Sequence, residues 1–201
     1  MVKNYELAKL FGGKGISMEL RSVSAEKFEE VLAAMERNFP PEERRDAADA
    51  RAVLEKENYR VFVFSEGETA LGFVTVWELS TFAFVEHFVT YEAHRNRGYG
   101  AVVLTLLKRR YGRLVLEAEP PATPMAERRL GFYERNGFFA SGVPYLQPSY
   151  RVGGESVPLV LLSCPALPED AVAAVIGEIY HTVYGVTPSQ QESQSQRRPQ
   201  Q

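Results

Sequence analysis

Met18 to Val23 reads as a first strand, with Met18 and Leu20 apolar against Glu19 and Arg21. The period then changes, because Phe28, Val31, Leu32 and Met35 recur at helical spacing behind a serine, Ser24, that suits an N-cap. Pro40-Pro41 ends this helix and opens a second, acidic one predicted to run to about Glu57, with Ala47, Ala50, Val53 and Leu54 as its apolar stripe. Tyr59 to Ser65 and Thr69 to Leu79, joined through Glu66-Gly67, predict an antiparallel hairpin.

The stretch Thr81 to Thr90 is apolar on both faces, with Phe82, Phe84 and Phe88 on one and Ala83, Val85 and Val89 on the other, as in a doubly covered central strand. A Gly-rich turn leads into a helix to about Tyr111, with Val102, Val103, Leu106 and Leu107 on its core side and Gly112 as its stop. Arg113 to Glu119 is the next strand, so strand, helix and strand form a right-handed crossover with the two strands parallel. Thr123-Pro124 opens another helix to Asn136, closed at Gly137. Two late strands, Phe138 to Gly142 and Val157 to Ser163, flank a loop holding Tyr145, Gln147, Pro148 and Tyr150. A last helix is predicted from about Glu169 to Tyr184. The repeated switching of period is that of a mixed α/β domain.

With 201 residues, 45% of them hydrophobic and 24% charged, the chain has the balance of a soluble globular protein and should bury roughly 70% of its unfolded surface in one domain. That domain is expected over 16–186, behind an N-terminal extension at 1–15 and ahead of a disordered tail at 187–201, which is too poor in apolar groups to offset the entropy of ordering. The net charge of −3 argues against a dedicated nucleic-acid binder. A single cysteine, Cys164, forbids an internal disulfide and a cysteine-cluster zinc site, and no metal is expected. No apolar run approaches the ~20 residues of a membrane span, and 1–15 lacks the apolar centre of a secretory signal, so no membrane partner and a cytoplasmic location are expected.

Candidate chemistry begins after the central strand. In an open α/β sheet, ligands bind beyond the carboxyl ends of parallel strands, where the next helix points its N-terminus at them. Arg95, Asn96, Arg97, Gly98, Tyr99, Gly100 and Ala101 occupy that place. Glycines let the backbone approach closely, and the first-turn N–H groups with two guanidinium groups make a cradle for a pyrophosphate. A plain glycine turn with solvated arginines would read the same way. The spacing does not fit a dinucleotide fingerprint, and Phe11-Gly12-Gly13-Lys14-Gly15 fails as a P-loop.

Three segments together resemble the GNAT superfamily of acyl-CoA-dependent N-acyltransferases. Glu86-His87-Phe88-Val89-Thr90 looks like the family's fourth strand, Arg95 to Ala101 like its pyrophosphate loop, and Phe132-Tyr133-Glu134-Arg135-Asn136-Gly137-Phe138 like its late Phe-Tyr-x-x-x-Gly-Phe element, in the family's order and spacing. More loosely, Phe39-Pro40, Glu43-Arg44-Arg45, Leu116 to Glu119, Arg128-Arg129 and Gln147 to Tyr150 look like a bacterial subgroup. Thr90 departs from the apolar β-branched residue usual there. The resemblance, over about residues 17–164, implies a roughly seven-stranded, mostly antiparallel sheet whose parallel fourth and fifth strands splay at an acyl-CoA site. It implies acetyl-CoA as acyl donor, bound by the Arg95–Ala101 loop and by backbone groups of Phe88, Val89 and Thr90.

Transfer of acetyl to an amine needs the amine neutral, which for a lysine-like amine at pH 7 costs about 3.4 pKa units, or ~4.6 kcal/mol. Glu86 is the only carboxylate inside the apolar central strand, where desolvation raises a carboxyl pKa towards the working pH, and it matches the family's strand glutamate. A carboxylate paired with a buried arginine or hydroxyl is the rival reading. Glu117 and Glu119, on one face near the end of the next strand, are reserve bases or an attractor for a cationic amine. Tyr133, a phenol protonated at pH 7, is implied by the resemblance as the acid that protonates the departing thiolate; otherwise it is a packed aromatic. Strand alternation sends His87 to the face opposite Glu86, as a core histidine. The Glu42, Glu43, Asp46, Asp49 cluster and Tyr145, Gln147 and Tyr150 are candidates for the acceptor side.

The expected function is therefore acetyl transfer from acetyl-CoA to a primary amine of a small molecule or protein, a cationic acceptor included, by direct attack in a ternary complex. The alternative is a non-catalytic acyl-CoA sensor or interaction module, with a basic-loop nucleic-acid binder third. The acceptor and the assembly, a homodimer included, stay open.

Overall fold

The computed structural model describes residues 5–7, 18–151 and 153–186. The expected tail at 187–201, the glycine-punctuated stretch 11–15 and most of the expected extension lie outside these. The described residues divide into two compact units, those up to 40 with 46–115, and 41–45 with those from 116 onward.

In the first unit, strand β1 (Tyr5–Leu7) pairs antiparallel with β2 (Met18–Ser22), and helix α1 (Ala25–Asn38) follows. Ser24 takes the extended N-cap conformation without a side-chain bond; its carbonyl accepts from the Lys27 and Phe28 amides. The predicted long acidic helix is two pieces. Pro41–Glu43 forms one 3-10 turn, and helix α2 (Ala47–Leu54) starts afresh behind Asp46, whose Oδ1 accepts the Asp49 N–H at 2.9 Å. Asp46 is extended, with φ −68° and ψ 169°, so it cannot lie inside a helix; its carboxylate serves as a cap.

Strands β3 (Tyr59–Glu66) and β4 (Thr69–Glu78) form the predicted hairpin, and β5 (Ala83–Thr90) pairs antiparallel with β4. Helix α3 (Tyr99–Tyr111) ends on Gly112 at φ +74°. Strand β6 (Leu114–Ala118) begins beside β5, with the Ala83 N–H donating to the Arg113 carbonyl at 3.0 Å, so the two strands start together and run parallel. The first unit's order is thus β1-β2-β3-β4-β5-β6. Phe28, Phe64, Phe73, Trp77 and Phe84 are fully buried in it. At the hairpin's open end Glu78 gathers Arg60 at 2.9 Å and the Tyr111 hydroxyl at 3.1 Å.

The second unit takes up the end of β6 and adds helix α4 (Pro124–Arg135), β7 (Phe139–Ala140), β8 (Tyr145–Gln147), β9 (Val157–Cys164) and α5 (Glu169–Ile179). Thr123 Oγ1 caps α4 by accepting the Ala126 N–H at 3.1 Å. Strand β9 lies between β6 and β7 and also pairs antiparallel with β8. The predicted helix to Tyr184 is met, but its last five residues, Tyr180–Tyr184, widen into a π turn that ends at Gly185 with φ +67°. Strands β1 and β8 go beyond the seven that the pattern predicts. Both have only three residues, too few for a period to show.

Gly72 of β4 faces Thr90 across the ladder. A Cβ there would lie 2.0 Å from the Val89 carbonyl oxygen and 2.3 Å from the Phe64 ring. Backbone cannot step aside as a side chain does, so Gly72→Ala is expected to cost about 2 kcal/mol or more. A urea-denaturation midpoint unchanged from the parent would contradict this packing.

Candidate active site

Strand β5 carries one residue more than β4 allows. Thr75 pairs with His87 and the adjacent Val76 pairs with Val85, which makes Glu86 the extra residue of a bulge. The bulge breaks the alternation on which the opposite-face expectation for His87 relied. Glu86 Oε2 instead lies 3.6 Å from His87 Nδ1, and neither side chain is more than 4% exposed. Thr75 Oγ1 accepts the His87 backbone N–H at 3.1 Å and sits 3.2 Å from His87 Nδ1. Phe39, just past the end of α1, meets the imidazole edge-on at a centroid distance of 4.7 Å. The glutamate is therefore enclosed beside a histidine.

Beyond Thr90 the chain makes a 3-10 turn at Glu92–His94 and enters the loop. Arg95 folds back, its Nε donating to the Thr90 carbonyl at 3.1 Å and a terminal guanidinium nitrogen to Asn38 Oδ1 at 3.3 Å. Asn96 stands at φ +62° and Gly98 at φ +85°. Left-handed residues alternating with ordinary ones turn successive N–H groups inward to a common anion position. Gly98 is also the N-cap of α3, and a Cβ built on it would touch nothing within 4 Å, so the outer side of the loop is open. Arg97 is exposed there. Tyr99 differs from its neighbours: its phenol donates to Glu66 Oε2 at 3.0 Å and is buried, which leaves only its backbone for a ligand.

The first unit thus carries Glu86, Phe88, Val89 and Thr90 on β5 and Arg95 to Ala101 in the loop after it and the start of α3. Tyr133 belongs to the second unit. It lies on α4 with its ring against Phe132 and Phe138, at 5.3 and 5.7 Å, and burial pushes its phenol up to about 12. Glu117 and Glu119 do not act as a pair. Glu119 falls one residue past β6 and accepts from Arg129 at the surface.

Glu117, still on the strand, accepts from the Tyr145 hydroxyl, from Gln147 Nε2 at 3.1 Å and from the Tyr184 hydroxyl at 2.8 and 3.1 Å. Tyr180 donates to the Leu146 carbonyl. Arg45 stacks 4.5 Å above the Tyr150 ring and donates to the Val183 carbonyl at 2.6 Å. Sequence reasoning missed Tyr180, Tyr184 and Arg45; the one available signal was two tyrosines four apart at the end of a helix.

Among the described residues no helix is long and apolar enough to cross a membrane, and no group of three or more His, Cys, Asp or Glu could hold a metal ion.

Residues 25–138 match the family model described as the acetyltransferase (GNAT) family. A solved GNAT-family protein from Bacteroides thetaiotaomicron is 30% identical, with a TM-score of 0.78 over 84% of this chain and 99% of that one. The chain belongs to the GNAT acetyltransferase family. More distant GNAT-like folds include an acetyltransferase from Thermus thermophilus, at 15% identity and TM-score 0.53 over 73% of this chain and 95% of that one. Arabidopsis thaliana NAA60, solved with acetyl-CoA, gives 12% identity and TM-score 0.57 over 73% of this chain and 97% of that one. No curated protein matches. As a GNAT member the chain is an acyl-CoA-dependent N-acyltransferase, and β5 and β6 are its parallel fourth and fifth strands, displaced in number by the extra β1.

Tyr111, Tyr133 and Tyr180 of this GNAT chain are each pushed up to about 12, in every case chiefly by burial. Unfolded phenols ionise near 10, so stability is full below ~pH 10 and falls between ~10 and 12 as only the unfolded state loses protons. Urea titrations at stepped pH are expected to show this decline, with a shallower slope for Tyr133→Phe; a flat profile to pH 12 would contradict the burial of these hydroxyls.

Proposed function

We propose that the protein moves an acetyl group from acetyl-CoA to a primary amine by direct attack within a ternary complex. The observation that carries this reading is the pairing, on one strand and the loop after it, of an enclosed carboxylate with a left-handed backbone cradle. The Asn96–Gly98 backbone and the first-turn amides of α3 suit a pyrophosphate, with Arg95 and Arg97 supplying charge. Backbone groups of Phe88 to Thr90 would hold the pantetheine arm and polarise the thioester carbonyl.

In the chemical step the amine nitrogen attacks the thioester carbonyl carbon, its proton passes to Glu86 directly or through water, and the carbon–sulfur bond breaks as the amide forms. His87, 3.6 Å from the Glu86 carboxylate, is placed to share that proton. Tyr133 would face the departing sulfur. With its phenol at about 12 against ~8.5 for an ordinary thiol, complete transfer runs uphill, so its contribution is a hydrogen bond to the developing thiolate.

Tyr133→Phe is expected to lower kcat by about 10²-fold or more while leaving the acetyl-CoA dissociation constant within about threefold. An unchanged kcat removes the role. Glu86→Gln is expected to abolish the low-pH inflection in kcat/KM, and a profile superimposable on wild type reassigns the base. The reading as a whole is tested by thioester cleavage with a panel of amines: saturable acetyl-CoA binding without turnover on any of them favours a sensor.

A further inference from the structure

Thr75 and His87 are directly opposed across β4 and β5, so their side chains leave the sheet on one face and meet. Thr75 is fully buried and His87 is 4% exposed. Among the described residues, both contacts of the Thr75 hydroxyl oxygen are to this one histidine: it accepts the backbone N–H at 3.1 Å and stands 3.2 Å from ring Nδ1. Glu86 Oε2 approaches the same ring nitrogen at 3.6 Å. One nitrogen thus lies between a hydroxyl held in place and the carboxyl group to which the chemistry is assigned.

Counting donors and acceptors decides which atom carries the proton between Thr75 and His87. A threonine hydroxyl has one proton to give and two lone pairs with which to accept, and a neutral imidazole has one N–H and one bare nitrogen. The His87 backbone N–H occupies one lone pair of Oγ1. A proton on Nδ1 would take the second lone pair, leaving the hydroxyl proton without an acceptor in a side chain that water does not reach. A buried donor left in that state is disfavoured. With Nδ1 bare, the hydroxyl donates to it and the backbone N–H, the hydroxyl and Nδ1 are all satisfied. The proton of the neutral ring then sits on Nε2.

We infer that Thr75 is a positioning residue of the transfer site: its hydroxyl holds His87 in the Nε2–H form and keeps the bare Nδ1 beside Glu86. At 3.6 Å the nitrogen acts on Glu86 through its charge distribution, being too distant for a hydrogen bond. An imidazole lone pair attracts a carboxyl O–H and repels a carboxylate oxygen, so this tautomer favours the state in which Glu86 has received the proton of the attacking amine. An Nδ1–H would favour the carboxylate before the proton arrives. The hydroxyl thereby selects between two forms of one ring that act on Glu86 in opposite directions. This inference rests on the reading of Glu86 as the base of acetyl transfer.

The test reads the ring directly. In chain labelled with ¹⁵N-histidine, long-range ¹H–¹⁵N correlation spectra separate a protonated ring nitrogen from a bare one and Nδ1 from Nε2. The chain has three histidines, and combining His94→Gln with His181→Gln leaves the His87 signals alone. The wild type and Thr75→Ser are expected to show Nε2 protonated and Nδ1 bare, and Thr75→Val to move the proton wholly or in part to Nδ1. With acetyl-CoA and the amine of the panel above that turns over fastest, Thr75→Val is expected to lower kcat about tenfold or more. The KM for the amine and the acetyl-CoA dissociation constant should stay within about threefold, and Thr75→Ser should restore kcat to within about threefold of the wild type. A wild-type ring protonated on Nδ1, alone or together with Nε2, overturns the inference, and that spectrum decides it if Thr75→Val does not fold. A Thr75→Val spectrum equal to the wild type's, an unchanged kcat, or a loss confined to KM also overturns it, because each leaves the hydroxyl with a structural bond only. If the wild type acetylates no amine, the transfer reading falls and the spectra alone decide the hold of Thr75 on His87. If amines are acetylated and the spectra show the other tautomer, this inference falls and the transfer reading stands.

Discussion

Glu86 enters β5 as the extra residue of a bulge against β4, and the side-chain arrangement around it follows from that mismatch. A regular ladder would place Glu86 and His87 on opposite faces and give each a cross-strand neighbour. With the bulge, Thr75 engages His87 through both its ring and its backbone amide, and the glutamate is folded in beside the imidazole. The carboxyl group is then removed from water beside the imidazole. The same strand stays well paired at its end, where Thr90 faces Gly72 and its carbonyl anchors Arg95. The cradle is thus fastened to the strand that carries the carboxylate.

Close approach of backbone supports this arrangement. Gly72 leaves room for the Val89 carbonyl and the Phe64 ring where any side chain would collide, and Gly98 takes a left-handed turn that delivers the chain into α3. Tyr99 then locks the start of that helix to Glu66 at the end of the hairpin. A loop held at both ends in this way is fixed in its course.

The second unit handles charge differently. Glu86 is enclosed beside an imidazole, whereas Glu117 is surrounded by hydroxyl and amide donors that hold it in place. The two carboxylates of this GNAT fold therefore have different surroundings. Glu119, with which Glu117 shared a face in the alternating pattern, is set apart because the strand stops at Ala118 and Arg129 takes its carboxylate.

Period, caps and glycines in the sequence determined the elements themselves: the hairpin, the parallel crossover, the Thr123 start of α4, and the glycine turn ahead of α3. These are local, since each depends on residues a few positions apart. The order of three motifs along the chain likewise marked the family. Tertiary structure alone decided the bulge, because an extra residue is defined only against the strand it pairs with, and so it decided where Glu86 and His87 point. It also decided that Asp46 caps a new helix, that β8 is a strand, and that Arg45, Tyr145, Tyr180 and Tyr184 gather around Glu117 and its neighbours. Residues 45 and 184 are far apart in the chain, and no pattern of local spacing records that folding will bring their surroundings together.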